Sequence, residues 1–261
     1  MDYGIHGRTA LVLGAGGGLG SAVCLALARE GVNIAAADVN ADALQATREK
    51  LAGLGVKVLA REWDLADIGS QRGHLDAIER EIGSIDILFN NTGGPAPSPA
   101  YQFDAATLAG QFQSMVASVM ALTSLVLPGM RERKWGRIIT SASSGVVAPI
   151  PNLAVSNSLR LALVGWAKTL AREVAADGVT VNIAIPGRIA TARVKFLDES
   201  KATRQGVSVE NVTAESLASI PMARYGEPGE YANAIAFLAS AGASYVTGSQ
   251  IRVDGGLLSN I

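Results

Sequence analysis

Short runs of β-branched and aliphatic residues alternate along this chain with longer stretches in which Ala, Leu and Val recur at helical spacing. The pattern predicts strands at about 9–13, 32–37, 56–61, 85–89, 136–140, 179–184 and 250–253. It predicts helices near 18–30, 41–53, 68–82, 105–131, 155–176 and 227–239. Runs such as Ile87-Leu88-Phe89 and Ile138-Ile139-Thr140 are apolar without alternation, as strands covered by helices on both faces must be. The fold class that follows is α/β, a doubly wound seven-stranded parallel sheet. Right-handed crossovers gather the strand ends on one edge, where such sheets bind ligands. The segment 192–220 is more polar and contains no strand, so it reads as an excursion over that edge and a candidate substrate lid.

Composition narrows the classes. No shift along the 261 residues marks a linker, so one domain, 1–261, is expected. Hydrophobic residues make up 49% and charged residues 17%, a balance that suits a large core. Lys and Arg (22) nearly cancel Asp and Glu (23), which leaves no field to recruit nucleic acid or an anionic membrane. The expected partner is a small molecule. Cys24 is the only cysteine, so no intrachain disulfide forms and the cytoplasm is the expected compartment. The first residues carry no export pattern, and no apolar segment is expected to reach the roughly 18 residues of a membrane span.

The first strand runs into Gly14-Ala15-Gly16-Gly17-Gly18-Leu19-Gly20 and then an Ala- and Leu-rich helix. Gly14, Gly18 and Gly20 let the backbone turn tightly and approach a pyrophosphate, whose charge is stabilised by free N–H groups at the helix start. With a strand before and a helix after, the turn points to a dinucleotide rather than to a merely structural bend. The second strand ends at Asp38, about 18 residues beyond Gly20, where an acid can accept hydrogen bonds from both adenosine ribose hydroxyls and repel a 2′-phosphate. NAD(H) is therefore favoured, while NADP(H) stays open through Arg48 or Arg61. The blander role for Asp38 is a cap for the helix that begins near Asn40.

At this point the chain resembles the short-chain dehydrogenases/reductases, especially the branch of bacterial 3-oxoacyl-carrier-protein reductases, over almost its whole length. Besides the glycine turn, Leu19 included, the resemblance rests on Asp64-Leu65, which flank the adenine in that family, and on Asn90-Asn91-Thr92-Gly93. It rests also on Pro186-Gly187-Arg188-Ile189-Ala190-Thr191, matching the loop that holds the nicotinamide, on Val246-Thr247-Gly248 and on Val253-Asp254-Gly255-Gly256. The resemblance implies a Rossmann-type fold and cofactor contacts at these positions. In physical terms Gly93 would admit a cofactor against bare backbone, Pro186-Gly187 would bend the chain, and Thr191 would bond the carboxamide. Asn91 either serves the site or only ties neighbouring strands. The helices near 105–131 and 155–176 resemble those that pair in the family's tetramers, which implies a homotetramer, with a homodimer as the lesser possibility.

The family's chemistry uses Ser, Tyr, Lys and Asn, with Tyr as acid/base and Lys lowering its pKa. Here the serine is kept as Ser143, which would hold a substrate carbonyl. Ser156 stands at the Tyr position, Arg160 at the Lys position and Met115 at the Asn position. None of the five tyrosines has a Lys four residues later, so no shift of alignment restores the motif. An aliphatic hydroxyl is a far weaker acid than a phenol of pKa about 10, and Arg stays protonated to above about 12, so the usual proton route is lost. Ser156 and Arg160 share a helix face, and Arg160 either holds the nicotinamide ribose, clamps a substrate carboxylate, or simply caps a carbonyl or pairs with an acid. Tyr101 is a candidate replacement acid, though rim packing suits it better. His6 and His74 lack ligand spacing and no metal is expected; Trp63, Trp135, Trp166 and Tyr245 read as packing residues. The leading function is an NAD(H)-linked oxidoreductase on a carbonyl or alcohol. The alternatives are a catalytically silent dinucleotide-binding protein, or a non-redox isomerase or lyase acting on a hydroxy or keto acid.

Overall fold

The computed structural model describes residues 2–102 and 104–260. Seven strands, β1 (Thr9–Leu13), β2 (Asn33–Asp38), β3 (Val58–Glu62), β4 (Ile87–Asn90), β5 (Gly136–Ser141), β6 (Val179–Pro186) and β7 (Gln250–Val253), form one parallel sheet in the order β3-β2-β1-β4-β5-β6-β7. β1 lies between β2 and β4, with Leu11 opposite Ala35 on one side and Leu88 on the other. That pair of neighbours is where the direction of winding reverses, and it opens the crevice used for ligands in such sheets.

The apolar strands serve two cores. Ala10 and Val12 point to one face with Val23, Cys24 and Leu27 of α1 (Gly18–Arg29), Leu44 and Leu51 of α2 (Ala41–Leu51), and Tyr231 and Ile235 of α9 (Pro228–Ala239). Leu11 and Leu13 point to the other, against Leu75 and Ile78 of α3 (Gln71–Glu81), Leu122 and Val126 of α5 (Ser118–Glu132), and Leu170 and Val174 of α6 (Ala154–Val174). Each fully buried Leu or Phe contributes about 1.5–3 kcal/mol, so a strand that sends residues to both faces is stabilised twice over.

Two segments differ from expectation. The helix expected at 105–131 runs from Ala105 to Glu132 but contains a π turn at Gln113–Ala117, between α4 (Ala105–Phe112) and α5. This stretch also corrects the expectation that no segment is apolar enough to span a bilayer. By length and composition alone an 18-residue window of it is apolar enough, because its positions towards the sheet and α6 are apolar while Ala and Gly share its open side with Phe112 and a few uncharged polar residues. Finally, 192–220, where no strand and no helix is expected, contains no strand but folds as two helices, α7 (Ala192–Gln205) and α8 (Val209–Ser219). The Thr191 hydroxyl caps α7 at Val194 N–H, Gly206 ends it with φ 66°, and Ser208 caps α8 at Asn211 N–H.

Candidate active site

A cavity of about 620 Å³ opens at the carboxyl edge of the sheet. Its first end is built by the glycine turn. Gly14 has φ 62°, and a Cβ there would fall 2.6 Å from Asn91 Nδ2. At Gly20 a Cβ would fall 2.0 Å from the Gly14 carbonyl oxygen, and at Gly18 it would fall 2.8 Å from Thr191 Cγ2. The turn is thus as tight as bare backbone permits. The first hydrogen bond of α1 is Ser21 N–H to Gly17 O at 2.8 Å, and Gly17 offers no capping side chain. The N–H groups of Gly18, Leu19 and Gly20 therefore precede the helical ladder, and with the helix dipole they fit a pyrophosphate.

Asp38 lies at the end of β2, beside the turn. Its carboxylate accepts from Gly16 N–H and Asn40 N–H, both at 2.9 Å. Asn40, not Asp38, caps α2, through Ala43 N–H at 3.0 Å. Each Asp38 oxygen has one such bond and retains acceptor capacity towards the cavity, which Asp38 lines with Val39, Asp64 and Leu65. Neither Arg48 nor Arg61 is among the lining residues, and Arg61 Nη2 lies 3.3 Å from His74 Nδ1. Trp63 is buried and stacked on His74 with ring centroids 4.4 Å apart, yet it also forms part of the cavity wall, so it is more than the packing residue it resembled in sequence.

The middle of the cavity is held by two loops. Asn91 donates to Leu13 O at 3.3 Å and so ties the loop after β4 to β1, while Gly93 faces open space. Gly187 packs where a Cβ would meet Asp254 Cα at 2.6 Å, and its N–H donates to Val253 O at 2.9 Å, which explains why a Gly follows β6 and why the segment after β7 belongs to the site. Pro186, Gly187, Ile189 and Thr191 all line the cavity.

At the far end stand Ser143, Ser156 and Arg160. Ser143 follows β5 and accepts from Gly145 N–H at 3.1 Å. Ser156, in the first turn of α6, is buried against the cavity. Arg160, one turn further, sends Nη1 to Ser141 O at 3.0 Å and Nη2 to Thr92 O at 3.1 Å and Gly93 O at 3.3 Å. Of the roles open to it, carbonyl capping is the one these contacts describe. Burial, with Arg193 nearby, lowers its pKa to about 10, so it stays cationic at neutral pH. Met115 sits in the π turn, packed with Val119, Leu159 and Leu163, and its neighbour Ser114 reaches the cavity instead. Tyr101 is 85% exposed and does not line the cavity.

Several residues were not apparent from sequence. Arg193, at the second position of α7, lines the cavity and donates from Nη2 to Pro95 O at 2.7 Å. Arg188 pairs with the buried Asp198 carboxylate and donates to Ser216 Oγ at 2.9 Å, while Tyr225 donates to Asp198 at 2.8 Å. These bonds fasten α7 and α8 to the loop after β6. Tyr231 donates to Ser141 Oγ at 2.9 Å, and burial pushes its hydroxyl pKa up.

Residues 14–258 match the family profile described as Enoyl-(Acyl carrier protein) reductase. The chain is 36% identical to Nodulation protein G of Azospirillum brasilense over 96% of its own length and 98% of that protein. It is 34% identical to the 3-oxoacyl-acyl-carrier-protein reductase of Escherichia coli, over 97% of this chain and 98% of that one. Among solved structures, L-sorbose reductase from Gluconobacter frateurii, complexed with NADPH and L-sorbose, is similar over 100% of both chains, with a TM-score of 0.93 and 30% identity.

Proposed function

The chain belongs to the short-chain dehydrogenase/reductase family, and from that premise we propose that it is an NAD(H)-linked oxidoreductase acting on the carbonyl or alcohol of a small substrate. The observation that carries this reading is the continuity of the cavity, which joins the glycine turn and Asp38 to Ser143 and Ser156. When bound, the dinucleotide supplies or accepts the hydride. The Ser143 and Ser156 hydroxyls hold the reacting oxygen, and the Arg160 cation beneath them stabilises charge that develops there. No Tyr, His, Cys, Lys or Glu is among the described residues that line the cavity, so water supplies the proton. Doing without a positioned general acid costs about a hundred- to ten-thousand-fold in rate, and turnover is accordingly slow.

The test is incubation with NADH deuterated at the transferable position and a panel of small aldehydes and ketones. Deuterium on the carbinol carbon of a product is expected. Tight NADH binding with no labelled product would replace this reading by the silent dinucleotide-binding one, and substrate conversion with all label retained in NADH by the isomerase or lyase one.

NAD(H) is proposed over NADP(H), although the L-sorbose reductase structure holds NADPH. The support is Asp38 together with Val39, Trp63, Asp64 and Leu65, a ribose pocket with an acid and, among the described residues that line it, no cation to meet a 2′-phosphate. Asp38→Ala is expected to weaken NADH about 10- to 100-fold, the worth of charged hydrogen bonds, and NADPH far less. Fluorescence titration of both cofactors decides it, and equal losses would remove the ribose contact.

We propose further that α7 and α8 cover the substrate and that the protein is a homotetramer. Supporting the second is an apolar surface on the helices expected to pair, where Phe112 is 46% and Leu161 52% exposed. Leu161→Asp should yield a smaller species in sedimentation velocity; an unchanged mass would count against this interface. A cytoplasmic setting suits the buried Cys24, whose thiol pKa burial pushes up.

A further inference from the structure

Three arginines line the cavity, and they are not alike. Arg188 is paired with Asp198, whereas Arg160 and Arg193 have no carboxylate partner among the described residues. Arg137 is also buried without a carboxylate partner among the described residues, but its guanidinium lies over the Trp135 ring and donates to the Ser240, Gly136 and Gly178 carbonyls, away from the cavity. Among the described residues the acids on the cavity wall, Asp38 and Asp64, are at the adenine end beyond the glycine turn.

The two unpaired guanidinium groups converge on Gly94. A Cβ built there would lie 3.2 Å from Arg193 Nη2 and 3.6 Å from Arg160 Nη2, so the two nitrogens are within about 7 Å of each other and repel. Arg193 also stands in the first turn of α7, where the helix dipole disfavours a cation. Burial acts in the same direction on both groups, and it lowers the pKa of each. A like charge, an opposed dipole and lost hydration all weigh against this pair, and nothing charged in the described protein offsets them.

The donors are divided unequally. Arg160 has committed both terminal nitrogens to the Ser141, Thr92 and Gly93 carbonyls, so it contributes charge more than a free fork. Arg193 gives one hydrogen bond, to Pro95 O, and lies over the Phe196 ring at 5.6 Å, so its remaining N–H groups have no acceptor among the described residues. Gly94 has no side chain to fill the space between them. A pyrophosphate already has its own cradle at the N–H groups of Gly18, Leu19 and Gly20. Arg160 lies one helical turn from Ser156, which puts the pair of cations at the substrate end.

We propose that the substrate is a small oxo acid, or the corresponding hydroxy acid, whose carboxylate is received by Arg193 in the field of Arg160 while its carbonyl meets Ser143 and Ser156. Arg193 is then the specificity-determining residue, discriminating acids from their neutral analogues. This rests on the oxidoreductase reading and names its substrate class.

The probes are pyruvate, acetoacetate and levulinate, each with its methyl ester, titrated calorimetrically into the full chain with and without saturating NAD+. At least one acid is expected to bind tenfold or more tightly than its ester. Arg193→Met should lower that acid's affinity at least tenfold and leave the ester unaffected, with NAD+ affinity within twofold of the parent; Arg193→Lys should restore part of it. Equal binding of acid and ester throughout the panel, or no binding of either, overturns the proposal. So does a tenfold loss of NAD+ affinity in Arg193→Met, which would make the anion the cofactor's own pyrophosphate. A protein that takes acids over esters but shows no NAD+ binding would instead refute the oxidoreductase reading and leave the anion site standing.

Discussion

Replacing Gly20 with Ala is expected to reduce NADH affinity more than a hundredfold and to destabilise the fold by about 1–3 kcal/mol, the usual cost of forcing an extra methyl into a packed place. The added carbon would lie 2.0 Å from Gly14 O, 2.7 Å from Gly14 C and 2.9 Å from Ala15 Cα. All three are backbone atoms, so no side chain can swing aside. Relief requires either opening the turn, which pulls the N–H groups away from a pyrophosphate, or sliding α1, whose Val23, Cys24 and Leu27 are fully buried on the sheet. Gly73→Ala is the matched control: it lies in α3 with nothing within 4 Å of a Cβ, so it should stabilise by about 0.5–1 kcal/mol. NADH fluorescence titration and thermal denaturation of the two variants read both effects. A Gly20→Ala protein that bound NADH like the parent would remove the glycine turn from the cofactor site.

Arg160→Met should lower stability by about 1–3 kcal/mol, chiefly because Ser141 O loses its donor in a buried place while Thr92 O and Gly93 O can turn to water. The effect on catalysis is expected to be larger, a loss of roughly a hundredfold in kcat/KM, since removing one preorganised group that stabilises developing charge, here through its field, commonly costs about that much. Arg160→Lys keeps the charge without the planar fork and should fall between the two. Denaturant titration beside steady-state kinetics separates the contributions. If Arg160→Met were the more stable protein, desolvation of the cation would outweigh its three bonds, and its place as a structural tie would be lost.

Much of the architecture could be read from residues that act locally or repeat. Uniformly apolar runs such as Ile138-Ile139 marked strands covered on both faces, and Gly14 to Gly20 marked the turn, because each depends on its immediate neighbours. The segment 192–220 was harder. Its helices bury few residues, so the apolar stripe that identifies α1 or α3 is faint, although Thr191, Gly206 and Ser208 stand where caps belong. Arg160 was visible as a departure from its family, but its partners are backbone carbonyls brought from β5 and the loop after β4, and carbonyls leave no mark in a sequence. Arg193 meant nothing until the Pro95 loop and α6 were folded against it. The π turn that buries Met115 and turns Ser114 to the cavity likewise has no signature in residue type.

The packing of Gly187 against Asp254 carries a consequence for how the molecule is made. The bend at Pro186-Gly187 is fixed only when Gly187 N–H finds Val253 O, and β7 is the strand that leaves the ribosome last of the seven. The far wall of the cavity therefore depends on the last strand of the chain: the backbone partner that holds the bend after β6 is present only when β7 is docked beside it.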